Sequence, residues 1–256
     1  MELVREPSVV VRGEVSSAMV EYALEKIRKV AVEAPGPILD ADVRLDHHAD
    51  PARERPHHVE MTLNLDGRLV RAHRSAATMS EAIDFTVDRL RRQVEATAER
   101  PQSLVLRHRD GTSWHHDDRR AHRPGYFPRP VEERGVVRRK TFALRRESIE
   151  DALFDLEALD HDFFLFVNDE TGEENVVYHD DGAYAIAQPT ATPSAIADVG
   201  VPVRSAPGPA QMRVFDACAT LDLSGAPFLF FLDADTGRGH VAYRRYDGHY
   251  GLISPD

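Results

Sequence analysis

Hydrophobic residues follow two kinds of pattern along the first hundred residues. A β-branched run, SVVVRGEV (8–15), and three further short runs that contain apolar residues are typical of strands: ILDADVRL (38–45), HHVEMTLNL (57–65) and RLVRAHRSA (68–76). The dipeptide Asp66-Gly67 predicts a tight turn between the last two. Each run therefore predicts one strand of a sheet.

Two further stretches have apolar residues three and four positions apart, which is the spacing of a helix. The first follows Ser16-Ser17 and carries Val20, Leu24, Ile27 and Val30 or Ala31; the second covers about 80–98 and carries Ile83, Val87, Leu90 and Val94. We expect an α+β fold, a β-α-β-β-β-α sandwich with two helices on one face of a four-stranded sheet.

The rest of the chain contains one unit twice. FFLFVNDETGEENVVYHDDGAY begins at Phe163, and FLFFLDADTGRGHVAYRRYDGHY begins at Phe228, so an offset of 65 residues aligns the two. The same offset sets the helical positions Ile149, Leu153 and Leu156 against Val214, Cys218 and Leu221. We predict two small tandem α+β repeats, each with a strand, a helix and three further strands.

The net charge also differs between the N-terminal region, the middle of the chain and the region of the repeats. The net charge of −11 is the sum of −4 over residues 1–99, +8 over 100–146 and −15 over 147–256. We predict four segments: an N-terminal domain (1–100), a basic flexible linker (101–135), copy one of the repeat (136–190) and copy two (198–256).

The outward faces of the two N-terminal helices carry the strongest functional signal. One hundred degrees per residue places Tyr22, Lys26 and Lys29 opposite the core of the first helix, and Phe85, Arg89 and Arg92 opposite the core of the second. Cations neutralise phosphates and aromatic rings stack on bases, so two such stripes favour structured RNA. Solvated helix faces without a partner remain the alternative.

The repeats are about 55 residues each, a size at which a single hydrophobic core is marginal. Large apolar residues on their strands predict a surface through which the copies pair: Phe163, Phe164, Phe166, Phe228, Phe230 and Phe231. Two independent domains with ordinary cores are the alternative.

Other chemistry has little support. The pairs His47-His48, His57-His58 and His115-His116 point to opposite faces where they lie on strands, so we predict no metal site and no cofactor. Cys218 aligns with the core position Leu153, and no catalytic motif is present, so we expect no enzyme and no small-molecule substrate. Without a long apolar run we expect a cytoplasmic protein with no membrane partner.

Specific segments resemble the long-form ribosome hibernation promoting factors. They are VVVRGEVSSAMVEYALEKIRK and MSEAIDFTVDRLRRQVE in the N-terminal domain and RRKTFALRRESIEDALFDLEALDHDFFLFVNDETGEENVVYHDDGAYAIAQP in copy one. The common long form has one C-terminal domain that homodimerises and joins two ribosomes. The duplicated domain of this chain resembles more closely the hypoxia-linked ribosome-associated factors of mycobacteria.

The resemblance implies a protein that binds the small ribosomal subunit in the mRNA and tRNA channel and inhibits translation under stress, hypoxia or dormancy. It implies rRNA contacts first at Lys26, Lys29, Arg89 and Arg92, all four expected to be exposed, and second at Tyr22, Arg28, Phe85 and Arg91. The basic linker is expected to touch phosphates at Arg107, Arg109, Arg119, Arg120 and Arg123, or else to serve only as a solubilising spacer.

We expect the two repeats to pair within one chain, because a tandem copy supplies a partner at high effective concentration. The protein is then a monomer that silences single ribosomes through contacts with rRNA and ribosomal proteins. Two alternatives stay open: a factor that dimerises ribosomes through homodimerisation of its tail, and a general RNA-binding stress protein.

Overall fold

The computed structural model describes residues 5–49, 54–98, 129–245 and 247–256. The chain forms two compact units, one of residues 1–106 with 157–161 and the other of residues 107–156 with 162–256. The predicted phosphate contacts of the linker, Arg107, Arg109, Arg119, Arg120 and Arg123, lie outside the described residues.

The first unit contains a four-stranded sheet and two helices. Strand β1 (Ser8–Arg12) lies parallel to β2 (Ile38–His47), which pairs antiparallel with β3 (His57–Leu65), and β3 pairs antiparallel with β4 (Arg68–Ala76). Helix α1 (Ser17–Glu33) connects β1 to β2, and helix α2 (Met79–Ala98) follows β4. This order confirms the predicted β-α-β-β-β-α sandwich.

One hydrophobic core joins the helices to one face of this sheet. The predicted stripe of α2 is buried in it, and so are alternate residues of β3, namely Val59, Met61, Leu63 and Leu65. On α1 the buried residues are Ala23, Ile27, Val30 and Ala31, whereas Val20 and Leu24 are half-buried. The buried face of α1 is therefore centred on Ala23, Ile27 and Val30, and the predicted core positions Val20 and Leu24 lie at its margin.

Local signals at three chain reversals explain where these elements end. Asp66 and Gly67 both have positive φ angles, 50° and 87°, as the two-residue turn between β3 and β4 requires. Thr78 and Glu81 exchange side-chain-to-backbone hydrogen bonds and so form a capping box at the start of α2. Gly13 has φ +75°, and a Cβ atom there would lie 2.2 Å from the carbonyl oxygen of His47. Only glycine fits this turn beside β2.

The elements of the two copies follow one another from residue 129 onward. Copy one consists of β6 (Arg146–Glu147), α3 (Ile149–Ala158), β7 (Phe163–Asn168), β8 (Glu174–Asp180) and β9 (Ala183–Ala187). Copy two consists of β11 (Gln211–Met212), α5 (Val214–Ser224), β12 (Phe228–Asp233), β13 (Gly239–Arg244) and β14 (Tyr250–Pro255). A 3-10 turn (Val131–Glu133) and β5 (Val136–Phe142) precede copy one, while α4 (Pro193–Asp198) and β10 (Val203–Ser205) precede copy two.

The strands β5 and β10, which the sequence pattern predicts as the first strands of the two repeats, each pair with the sheet of the other copy. Strand β5 lies parallel to β14 at the edge of the sheet of copy two, and β10 lies parallel to β9 at the edge of the sheet of copy one. The resulting orders, β10-β9-β8-β7-β6 and β5-β14-β13-β12-β11, are equivalent. The boundaries 136–190 and 198–256 assign each first strand to its own copy, whereas in the structure the two strands are exchanged.

Equivalent residues of the two copies meet in the middle of the second unit. The rings of Phe163 and Phe228 have centroids 4.6 Å apart, and Tyr178 packs edge-on against Phe228 at 5.2 Å. A residue contacts its own equivalent only near the axis of a two-fold arrangement. The copies therefore pair within one chain about an approximate two-fold axis at this aromatic pair.

An apolar cluster shared by both copies, which we call the pairing core, surrounds this axis. Its buried residues are Leu165, Val176, Ala187, Phe230 and Val241, with Leu144, Phe163, Tyr178, Ala206, Phe228 and Ile253 half-buried around them. Since each side of the cluster covers the other, neither small domain depends on its own core alone.

The predicted pairing surface is right for three of its six phenylalanines. Phe163, Phe228 and Phe230 lie in the pairing core, but Phe231 packs under α5 with Ala217 and Leu221.

Strand alternation likewise turns Phe164 and the fully buried Phe166 to the face opposite Phe163. The prediction was wrong for Phe164, Phe166 and Phe231, because neighbouring residues of a strand cannot share a face. It also missed Leu165, the equivalent of Phe230, which the 65-residue offset identifies.

Candidate RNA-binding surface

Helices α1 and α2 lie side by side in the first unit and are joined by polar contacts. Tyr22 donates its hydroxyl hydrogen to Asp84 at 2.8 Å, and Lys26 Nζ lies 2.9 Å from the same carboxylate oxygen. Further along, Arg91 Nε lies 3.2 Å from Glu33. Residue numbers rise together along both helices, so the helices run in the same direction and their outward faces form one surface.

Asp84 organises the beginning of this surface. Its carboxylate receives Tyr22 and Lys26 together, and Lys26 Nζ also lies over the Tyr22 ring, 4.9 Å from its centroid. The hydrogen bond to Asp84 raises the pKa of Lys26 above its usual range, so this ammonium stays charged. Partial burial by itself raises the pKa of Asp84, but the hydrogen bonds from Lys26 and Tyr22 outweigh it and lower that pKa.

The predicted contacts do not include Asp84, because a carboxylate is not itself a ligand for a phosphate. The only signal was its place directly before Phe85, at the margin of the second stripe. Its effect is to hold Lys26 in one position and to neutralise part of its charge.

Several other predicted RNA contacts are exposed. Lys29 and Arg92 are exposed, and Arg92 Nε donates to the carbonyl oxygen of Asp88 one turn earlier. Phe85 leaves 53% of its surface open, unusual for a phenylalanine. Arg28 is exposed and pairs with Glu6 at 2.7 Å. The surface thus offers the exposed cations Arg28, Lys29 and Arg92, an open aromatic ring, and ion pairs of Lys26, Arg28 and Arg91 for which an anionic partner can compete.

Arg89 is the exception among the predicted contacts. It is only 5% exposed, and its Nη2 atom lies 3.1 Å from Asp160 and 3.6 Å from Glu157, two acidic residues of the segment 157–161 in the same unit. The expectation that all four first-choice cations are exposed is therefore wrong for Arg89. Helical periodicity places it opposite the core of α2, but an acidic segment distant in sequence covers it.

The histidines are arranged as strand neighbours. His47 and His57 are cross-strand partners on β2 and β3 and stack with centroids 4.6 Å apart. Burial, and then the nearby His73, lower the pKa of His58 to about 4. Within the described ranges no group of three or more histidine, cysteine or acidic side chains has the arrangement to hold a metal ion; His115 and His116 lie outside those ranges.

Cys218 has the environment of a structural thiol. It packs against the core under α5 that contains Ala217 and Leu221. Burial raises the pKa of its thiol to about 11, so the nucleophilic thiolate is scarce at neutral pH.

Comparison with known families matches both units. The family described as "Sigma 54 modulation protein / S30EA ribosomal protein" matches residues 9–102. The family described as "Sigma 54 modulation/S30EA ribosomal protein C terminus" matches residues 131–186 and again residues 208–252. The head of the chain and both copies of the repeat thus have family counterparts.

A relative from Deinococcus radiodurans named ribosome hibernation promotion factor is 32% identical over 192 residues, which are 68% of this chain and 92% of the relative. The chain belongs to the ribosome hibernation promotion factor family. A second family member, from Picosynechococcus, is 26% identical over 68% of this chain and 92% of its own length.

The chain is also similar to a dormancy associated translation inhibitor of Mycobacterium tuberculosis, 39% identical over 129 residues. That match spans 47% of this hibernation promotion factor homologue and 47% of the mycobacterial protein, about half of each. Among solved structures, the N-terminal domain of Thermus thermophilus Protein Y is 26% identical and aligns over 37% of this chain and 96% of its own, with a TM-score of 0.30. In the described part of this chain, no helix is long and apolar enough to cross a membrane.

Proposed function

We propose that this chain binds the small ribosomal subunit through the outward faces of α1 and α2 and inhibits translation by occupying the channel for mRNA and tRNA. The surface built on Asp84 carries the proposal: it combines exposed cations with an open phenylalanine in a domain that matches a ribosomal protein family. Phosphates are met by Lys29 and Arg92, and Phe85 stacks on a base or sugar. The proposed action is occlusion, without catalysis, in the cytoplasm where ribosomes work.

We further propose that the protein acts as a monomer on single ribosomes. The pairing core is filled by the two copies of one chain, so the surface through which a second chain would join is already covered. The Deinococcus and mycobacterial relatives are named for hibernation promotion and translation inhibition, which supports the inhibitory role but does not distinguish single from paired ribosomes.

Sedimentation of purified ribosomes with the protein on a sucrose gradient tests both parts. We expect the protein in the fractions of single ribosomes, with no heavier peak, and we expect bound tRNA and mRNA to compete with it. A ribosome-dimer peak would contradict the action on single ribosomes. Binding that tRNA and mRNA leave unchanged would contradict occlusion and favour general RNA binding.

A further inference from the structure

Two positions that are equivalent in the copies contact each other across the pairing interface yet carry different residues. Glu174 begins β8 and Gly239 begins β13, and the offset of 65 residues aligns them. Gly239 donates its backbone hydrogen to Glu174 Oε2 at 3.2 Å, and Arg238 donates from Nε to Glu174 Oε1 and pairs with it. The Glu174 side chain is only 10% exposed, so its charge is compensated almost entirely by copy two.

The space at Gly239 admits no side chain. A Cβ atom there would lie 2.6 Å from the Cβ atom of Glu174 and 2.8 Å from Cε2 of the Phe230 ring. In copy one, the residue equivalent to Phe230 is the smaller Leu165. Copy two thus combines a large ring with a glycine, and copy one combines a smaller side chain with a glutamate, so that each fits the other.

We propose that four residues, Leu165 and Glu174 in copy one and Phe230 and Gly239 in copy two, make the two copies complementary to each other. The same residues disfavour pairing of a copy with another copy of its own kind. We call this set of four residues the lock. The partner that the pairing surface of copy one fits is therefore copy two, and not the copy one of a second chain.

Like-with-like pairing about the same axis meets two obstacles. Two copies one would place two Glu174 side chains where the structure has room for one, and the two buried carboxylates would repel each other without Arg238. Two copies two would bring two Arg238 side chains together without an acid and leave the volume of the glutamate unfilled. The covalent connection through residues 188–202 then favours the copy two of the same chain over that of another.

This inference concerns the free protein, and only its consequence for single ribosomes rests on the proposed function. Its test needs no ribosome, so a failure here is distinguishable from a failure of the proposed function. The full-length variant Gly239→Glu makes copy two resemble copy one at the axis. The matched control is Gly135→Glu, which adds the same side chain where a Cβ atom meets nothing within 4 Å and φ is not positive.

Hydrogen–deuterium exchange of the full chain reads out the pairing, with the strands of the first unit as an internal reference. For Gly239→Glu we expect exchange in β8 and β13 to be faster by about tenfold or more, with unchanged exchange in β2 and β3. Gly135→Glu is expected to match the wild type. Equal protection of Gly239→Glu and the wild type would overturn the lock, since like-with-like pairing would then be tolerated.

A second variant separates the lock from general damage to β13. Exchanging all four residues (Leu165→Phe, Glu174→Gly, Phe230→Leu and Gly239→Glu) reverses the roles of the copies while keeping them complementary. We expect this variant to recover most of the protection that Gly239→Glu loses. If Gly239→Glu is disrupted and the exchanged variant is no better, the proposed complementarity is wrong and glycine serves β13 alone.

Discussion

Phe163 and Phe228 hold equivalent positions in the two copies of the repeat, and their rings meet with centroids 4.6 Å apart. A contact between equivalent residues ordinarily joins two chains across a two-fold axis. Here it joins two halves of one chain, and the exchanged strands β5 and β10 bind the halves from both sides. The contact between the two copies is thus an internal core of one chain.

This aromatic pair predicts a coupled loss of stability. Phe163→Ala and Phe228→Ala should each lower the free energy of unfolding of the second unit by about 2–4 kcal/mol, because each removes part of the pairing core. The double variant should lose less than the sum by about 0.5–1.5 kcal/mol, the value of a ring pair. Urea unfolding measures all three, with Phe215→Ala, at a position 82% exposed, as a control expected to change little. Strictly additive losses would mean that the rings do not interact.

The RNA-binding surface predicts which charges matter for the ribosome. The variant Lys26→Gln with Lys29→Glu and Arg92→Glu should lose ribosome binding while keeping its fold; glutamine is chosen at Lys26 because Asp84 lies beside it. Arg89 is left unchanged, since its ion pair with Asp160 is buried. If residual binding is measurable, its slope against log salt should flatten by about two, one for each of the phosphate contacts of Lys29 and Arg92, because Asp84 keeps Lys26 paired.

The control for this variant changes the net charge by the same amount elsewhere on the head. Arg5→Gln with Arg12→Glu and Arg55→Glu alters three exposed arginines outside α1 and α2. We expect it to sediment with ribosomes nearly as the wild type does. Equal loss of binding in both variants would show that only the overall charge of the head matters.

Asp84 predicts a variant that binds RNA more tightly. Asp84→Asn removes the carboxylate that neutralises Lys26, so the ammonium becomes available to a phosphate. We expect higher affinity for ribosomes and a salt slope steeper by about one. The cost in stability should be about 1 kcal/mol or less, because the pair is partly exposed. Weaker binding than that of the control Glu54→Gln would show that Asp84 acts mainly by positioning Lys26.

His58 predicts that the first unit loses stability in mild acid. Its pKa is lowered to about 4 in the folded protein, chiefly by burial, whereas an unfolded histidine titrates near 6.5. The unfolded state therefore binds more protons between these values, and stability falls as the pH drops from about 6.5 to 4, by up to about 3 kcal/mol. Urea unfolding followed by methyl resonances of the head core measures this, and His58→Gln should remove much of the pH dependence. An unchanged profile in that variant would assign the effect to other groups.

Local patterns in the sequence were enough for the element order of the head. One side of each strand and helix meets the core, and apolar residues therefore recur at the period of that element. The buried residues of β3 and α2 agree with this pattern. The duplication was also readable, because the 65-residue offset aligns strand with strand in equal register. The pattern did not separate Phe166 from Phe163, since a dense apolar run hides the alternation of faces.

The sequence by itself therefore determined the elements and the cationic helix faces, which arise from residues within one turn or one strand of each other, and the repeat, which is visible as a match between two segments 65 residues apart. Only the tertiary structure decided that β5 and β10 change places, that Asp160 covers Arg89, and that Asp84 holds Lys26. These features join residues that are between 19 positions apart, for β9 and β10, and 114 positions apart, for β5 and β14, and the separation carries no periodic signal. The strand pairings and ion pairs depend on which sheet edges and which charged side chains become neighbours. Those neighbours are set only when the hydrophobic cores have packed.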